Sequence, residues 1–145
     1  MQQEDIMYLL KLNNKIFRTT QVYLDKVLKK YELSSGSYPY LLMLRHEDGI
    51  NQNQISEKLG YDKAMTTRTL TKLMKLGYLE RNKDETDHRA NNIYLTKKAN
   101  VVIENILDEI HELVQFMTKD MDDEEQINTI KYLKKILANV RTLNI

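Results

Sequence analysis

Apolar residues recur at helical spacing along both ends of this chain and alternate only near its middle. Ile6, Leu10, Phe17, Leu24, Leu28 and Tyr31 follow one another at steps of four, seven, seven, four and three, which puts them on one stripe of a helix. A helix covering that flank is roughly 35 to 40 Å long at 1.5 Å per residue. Towards the other end, Ala99, Val102, Ile103, Ile106, Ile110, Leu113 and Met117 form a second stripe, beginning after Thr96, a suitable N-cap. A third stripe, Ile127, Ile130, Leu133, Leu137 and Val140, follows Asp122 and Glu125, which are spaced as a capping box. The short centre of the chain cannot cover three long stripes. A fully buried Leu or Ile contributes about 1.5 to 3 kcal/mol, so the stripes predict a second copy of the chain packed against them. A self-contained monomeric bundle is the alternative.

The centre is punctuated. Gly36, Gly49, Gly60 and Gly77 are the only glycines and Pro39 the only proline, and these residues divide the segment into short elements. The pattern predicts one helix from near Ser37, with Pro39 in its first turn, ending before Gly49. A second is opened by the capping pair Asn51 and Gln54 and closed after Leu59 by Gly60. A third, capped by Asp62, runs from Lys63 to Leu76 and stops at Gly77. From Tyr78 the period changes to two: Leu79 and Arg81 alternate with Tyr78, Glu80 and Asn82, and Ile93 and Leu95 alternate with Asn92 and Tyr94. These are strands of a hairpin whose loop is the polar stretch from Lys83 to Arg89.

Composition narrows the class. The 145 residues suit one domain, and 41% hydrophobic with 30% charged residues suits a water-exposed globule with a core. The longest apolar run, Tyr38 to Leu44, is far short of the roughly 18 residues a membrane span needs. No secretory leader pattern opens the chain, and no membrane partner is expected. The absence of cysteine removes disulfides, thiolate metal sites and thiol switches. A cytoplasmic location fits these features.

Net charge is only +1, yet it is unevenly spread. Residues 51–98 carry ten Lys/Arg against six Asp/Glu, whereas residues 99–145 carry five against nine. A basic middle suits a polyanion, and an acidic tail must point away from it. The order helix, tight turn, helix and basic-tipped hairpin is that of a winged helix-turn-helix, whose second helix fits the major groove, about 12 Å wide. On that helix Arg68, Lys72 and Lys75 share the outward face, Thr71 lies at its edge, and Lys63 and Thr67 stand at the N-terminus, which favours phosphate. Thr66, although on the inward side of the wheel, is counted with this DNA-contacting set. No acid occurs from Lys63 to Leu76, so the cations lack the usual partners of a merely solvated helix.

The expected fold is therefore mainly α: a winged helix-turn-helix with long N- and C-terminal dimerisation helices and a two-stranded β-wing. Residues 1–145 form a single domain, with 1–35 and 99–145 as the helical dimerisation region and 36–98 as the DNA-binding lobe. Thr67-Arg68, Leu73, the run Leu76-Gly77-Tyr78-Leu79-Glu80-Arg81, Asp84, Asp87-His88-Arg89 and Leu95-Thr96 together resemble the MarR family of bacterial transcription regulators. The likeness covers nearly the whole chain. Tyr61, where the family usually has a small apolar residue, and the polar pair Asn91-Asn92 depart from the pattern and leave operator preference open.

The resemblance implies a homodimeric repressor of an inverted-repeat operator in double-stranded DNA. It implies that Asp87 holds the wing loop through the following arginine, that Arg89 enters the minor groove, and that Thr67, Arg68 and Lys72 contact the major groove or phosphates. It also implies a crevice for a small aromatic or phenolic effector, with Arg18, Tyr38, Tyr40 and Met43 as candidate lining residues. Packing of helix two is the alternative role for these side chains. A winged-helix module docking an acidic protein is the rival function.

No enzyme is expected. His46-Glu47 and His111-Glu112 each lack the second histidine of a zinc-protease helix. Asp120, Asp122 and Glu124 lack the glycine of a calcium loop, and there is no phosphate-cradling glycine run. His46, His88 and His111 are scattered, so neither a metal site nor any cofactor is expected.

Overall fold

The computed structural model describes residues 1–83 and 91–145, in two compact units, Met1–Leu107 and Asp108–Ile145. Helix α1 spans Gln3–Leu28 and ends in a 3-10 turn, Lys29–Tyr31, with Glu32 left-handed at φ 58°. Helix α2 covers Tyr38–His46, with Pro39 in the first turn, where a missing N–H removes no helical bond. Strand β1 is the two residues Ile50–Asn51, α3 is Gln52–Leu59 and α4 is Lys63–Lys75. Strands β2, Leu79–Lys83, and β3, Asn91–Leu95, are followed by α5, Lys97–Met117, and α6, Asp123–Val140.

The expected fold is present, with element limits within a residue or two of those the pattern predicts. Asn51 Oδ1 accepts from Gln54 N while Gln54 Oε1 accepts from Asn51 N, a complete capping box at α3. Asp62 caps α4, Asp122 and Glu125 form the second capping box at α6, and Thr96 Oγ1 accepts from Ala99 N at the start of α5.

The sheet has an additional strand. β1 pairs antiparallel with β3, giving the order β1-β3-β2 with Ile50 opposite Ile93 and Arg81 opposite Ile93 on the other side. Its two residues are too few to show periodicity, so the sequence pattern is silent about it. Gly49 makes the pairing possible: at φ +75° its N–H donates to Ile93 O, and a Cβ there would lie 2.8 Å from the Tyr94 ring.

In the first unit, Leu28, Tyr40, Leu41, Leu44, Ile55, Leu70, Leu73, Ile93, Ile103 and Ile106 are buried and form the core. The distal part of α1 is different: Ile6, Leu10 and Phe17 are all exposed, and only Leu24 and Leu28 of its stripe are buried. In the second unit Ile127, Ile130, Leu133, Leu137 and Val140 on α6 are exposed. No helix among the described residues is long and apolar enough to cross a membrane.

Candidate nucleic-acid interface

The site is the outward half of α4. Lys63, Thr67, Arg68, Thr71, Lys72 and Lys75 are all exposed on it, whereas Leu70 and Leu73 anchor the opposite side. Among the described residues none of the four cations forms an ion pair. The two threonine hydroxyls are partly committed, because Thr67 Oγ1 donates to Lys63 O and Thr71 Oγ1 to Thr67 O. Thr67 Oγ1 also accepts from Gln52 Nε2, which ties the first turn of α3 to the second turn of α4. Each hydroxyl has spent its only proton, so towards a ligand it offers a methyl group and acceptor capacity.

Thr66 does not belong to this set. It is fully buried, and its hydroxyl meets that of Tyr40. The residue lies on the core side of α4, as its wheel position indicates, and no DNA atom reaches it. Asp87 and Arg89, the residues assigned to the wing, lie outside the described residues, as does His88.

Both ends of α4 are held. At the start, Gly60 is left-handed at φ 67°, and Ser56 Oγ donates to Tyr61 O at 2.7 Å, which fixes the turn between the two helices. At the end, Lys98 Nζ donates to Leu76 O at 2.6 Å and lies 4.7 Å from the Tyr78 ring centroid. That is a cation at the electronegative end of a helix. Thr96 Oγ1 donates to Gly77 O at 2.6 Å, and Tyr78 Oη donates to Tyr31 O at 2.8 Å. The cationic face is thus presented by a helix with little freedom to tilt.

Two hollows bear on the site, one bordering the start of α3 and the other the start of α4. One is a polar cleft of about 190 Å³ lined by Asn51, Gln52, Asn53, Arg81 and Asn91. The sequence marked Arg81 as part of a strand and of the family-like run, Asn51 as a capping residue and Asn91 as a departure from the family pattern, without showing that they meet, and gave no sign of Gln52 or Asn53. The second is a cavity of about 390 Å³ between α1 and the turn that precedes α4, lined by Phe17, Thr20, Gln21, Leu24, Ser35, Gly36, Tyr38, Pro39, Tyr61 and Met65. Of the four residues expected around an effector, only Tyr38 lines it. Tyr40 is buried in the core, and neither Met43 nor the exposed Arg18 is among the described residues of the lining. Burial raises the Tyr38 phenol above its ordinary value, and Tyr61 adds to the shift. Among the described residues no cluster of three or more His, Asp or Glu is disposed to hold a metal ion.

The MarR family model matches residues 33–90, from just after the 3-10 turn through α4 to the segment after β2. The HTH-type transcriptional regulator SarZ of Staphylococcus haemolyticus is 30% identical over 112 residues, spanning 77% of this chain and 75% of its own length. The chain belongs to the MarR family. The regulator BilQ of Clostridioides difficile is 29% identical over 142 residues, covering 98% of this chain and 93% of its own. Among solved structures, a MarR regulator from Methanosarcina mazei superposes with a TM-score of 0.83 at 30% identity, covering 92% of this chain and 96% of that one. The S. aureus MepR chain of a MepR-DNA complex shares the fold, with a TM-score of 0.78 at 22% identity over 89% of this chain and 94% of that one. As a MarR regulator, the protein acts on transcription and is not an enzyme.

Proposed function

We propose that this MarR regulator is a cytoplasmic homodimeric repressor that reads an inverted repeat in double-stranded DNA with two copies of α4. In this reading residues 1–35 and 99–145 carry dimerisation and residues 36–98 form the DNA-binding lobe. The observation that carries it is the exposed half of α4, where Lys63, Arg68, Lys72 and Lys75 stand without an acid on a helix fixed at both ends. Arg68 and Lys72 contact base edges or phosphates, Lys63 and Lys75 contact phosphates, and the Thr67 and Thr71 methyls pack against the bases. Two-fold symmetry sets the half-sites about 10 base pairs apart.

The cavity beside Tyr38 suits a small aromatic or phenolic effector. Among the described residues its wall contains no charged side chain, so an uncharged ring is favoured over a carboxylate, and Tyr38 offers a neutral hydroxyl. Tyr61 and Met65 belong to the turn and first turn of α4, so an occupant that needs more room than the DNA-bound form allows weakens DNA binding through its preference for the other arrangement.

Binding of the full chain to short duplexes across a salt series tests the reading. If the dimer neutralises about eight phosphates, log affinity falls against log salt with a slope near -7. A flat titration, with no binding even to random duplex at low salt, overturns it.

A further inference from the structure

We propose that Lys98 is a positioning residue for DNA binding, which holds α4 at a set angle to the start of α5 and so fixes the half-site spacing that a dimer accepts. The inference rests on the dimeric DNA-binding reading above and goes beyond it, because Lys98 acts on spacing without touching DNA.

Three elements meet at the end of α4. Gly77, left-handed at φ 81°, turns the chain there, and the three carbonyls that follow the helix are met from the start of α5. Lys98 Nζ donates to Leu76 O, Thr96 Oγ1 to Gly77 O, and Thr96 N to Tyr78 O. Tyr78 is fixed in turn to the end of the first helix, since its buried ring carries a hydroxyl that donates to Tyr31 O at 2.8 Å. The recognition helix is thus joined to the start of α5 and to the turn after α1, both of which adjoin the segments proposed to carry the dimer.

Thr96 also serves the fold, because its Oγ1 accepts from Ala99 N and caps α5. Lys98 has no such duty: it is exposed, and the Leu76 carbonyl at 2.6 Å and the Tyr78 ring centroid at 4.7 Å both lie across the junction. A cation suits the place, since α4 ends there with its dipole negative and the face of a tyrosine ring attracts an ammonium. The bond to Tyr31 keeps that ring where the ammonium finds it. A small change of angle is enough to matter. The 13 residues of α4 are about 20 Å long, so a tilt of about 10° moves one end about 3 Å relative to the other. That is close to the rise of one base pair, roughly 3.4 Å, and in a two-fold dimer both helices move.

The test uses the full chain and a duplex that the wild-type chain selects from a random-sequence library, together with the same duplex lengthened or shortened by one base pair at its centre. Wild type is expected to prefer the selected spacing. Lys98→Met keeps an apolar stem and loses the charge; it is expected to bind the selected duplex several-fold more weakly and to lose most of that preference, with an unchanged salt slope on random duplex. Lys98→Arg is expected to recover both affinity and preference, since a guanidinium also donates to a carbonyl and stacks on an aromatic ring. A spacing preference in Lys98→Met equal to that of wild type overturns the proposal whatever its affinity or melting temperature, and so does a Lys98→Arg chain that behaves as Lys98→Met. A salt slope lowered by about 0.9 per protomer in Lys98→Met identifies a phosphate contact and overturns positioning. If the wild-type chain binds duplex without preferring a spacing, the dimeric reading falls; if it binds no duplex at all, the DNA reading falls, and the role of Lys98 falls with either.

Discussion

The Thr66 hydroxyl on α4 lies 3.2 Å from the Tyr40 hydroxyl on α2, and both residues are fully buried, at 0% exposure. This pair joins the recognition helix to the scaffold behind it, and the Tyr40 ring also packs against Tyr61, with centroids 5.7 Å apart. Removing one partner strands the other in an apolar core. Thr66→Val is therefore expected to cost about 1–3 kcal/mol, read as a lower urea midpoint. Adding Tyr40→Phe to that variant is expected to restore part of the loss, because no polar group is then left unmet. If the double variant is as unstable as the two single losses added together, the hydroxyls are not coupled.

The long helices, the capping boxes and the hairpin were legible in the sequence because each leaves a local signal: a period of 3.6, a period of two, or a capping residue three positions from its partner. What was not legible depends on contacts distant in the chain. β1 exists because Gly49 lets Ile50 reach Ile93, and two residues carry no period. Thr66 is polar, and its type points to a surface role that its position on the helix contradicts. Tyr40 carries a phenol that looks suited to a ligand, yet Thr66 already occupies it. The two departures from the family pattern, Tyr61 and Asn91, line hollows at the start of α4 and of α3 respectively. The sequence marked them as unusual without showing where they meet.

Tyrosine titration gives an alkaline signature. The Tyr78 phenol is raised above 10.0, first by burial and then by the negative charge of Glu32 and by Tyr31, and its hydroxyl donates to Tyr31 O. The folded chain therefore holds this proton more tightly than the unfolded chain does. Its stabilising effect is complete below the ordinary phenol value and is lost as pH rises through the raised one. Tyr78→Phe is expected to lower stability at neutral pH by about 0.5–1.5 kcal/mol through the missing hydrogen bond, and to flatten the decline above pH 10.0. Denaturant midpoints across that range check both effects; a decline as steep as wild type removes Tyr78 as its source.

The cavity beside Tyr38 offers a test of the effector. The chain has no tryptophan, so Gln21→Trp on α1 introduces a single indole and fills part of the space without changing any residue of α4. Phenol is expected to raise the melting temperature of the wild-type chain and to weaken its hold on duplex DNA, while benzoate, charged and facing a wall with no cation among the described residues, has less effect. In Gln21→Trp both phenol effects are expected to disappear. Equal responses in the two chains place phenol elsewhere.

Dimerisation is tested on α6, where Leu133 and Leu137 are one helical turn apart and 55% and 48% exposed. In a lone chain these side chains meet water, so replacing them with glutamine, a good helix former of no charge, costs the isolated helix little. In a dimer built on this face the same change removes about 1.5–3 kcal/mol per buried leucine from each protomer, enough to lower the dimerisation constant by several orders of magnitude. Leu133→Gln with Leu137→Gln is therefore expected to sediment as a monomer at concentrations where the wild-type chain is a dimer. Its cationic face is untouched, so weak binding to a single half-site remains, while the gain from a correctly spaced second half-site is lost. A double variant that stays dimeric shows that the α6 stripe is covered in some other way, and the pairing of the two recognition helices then rests on α1 or α5.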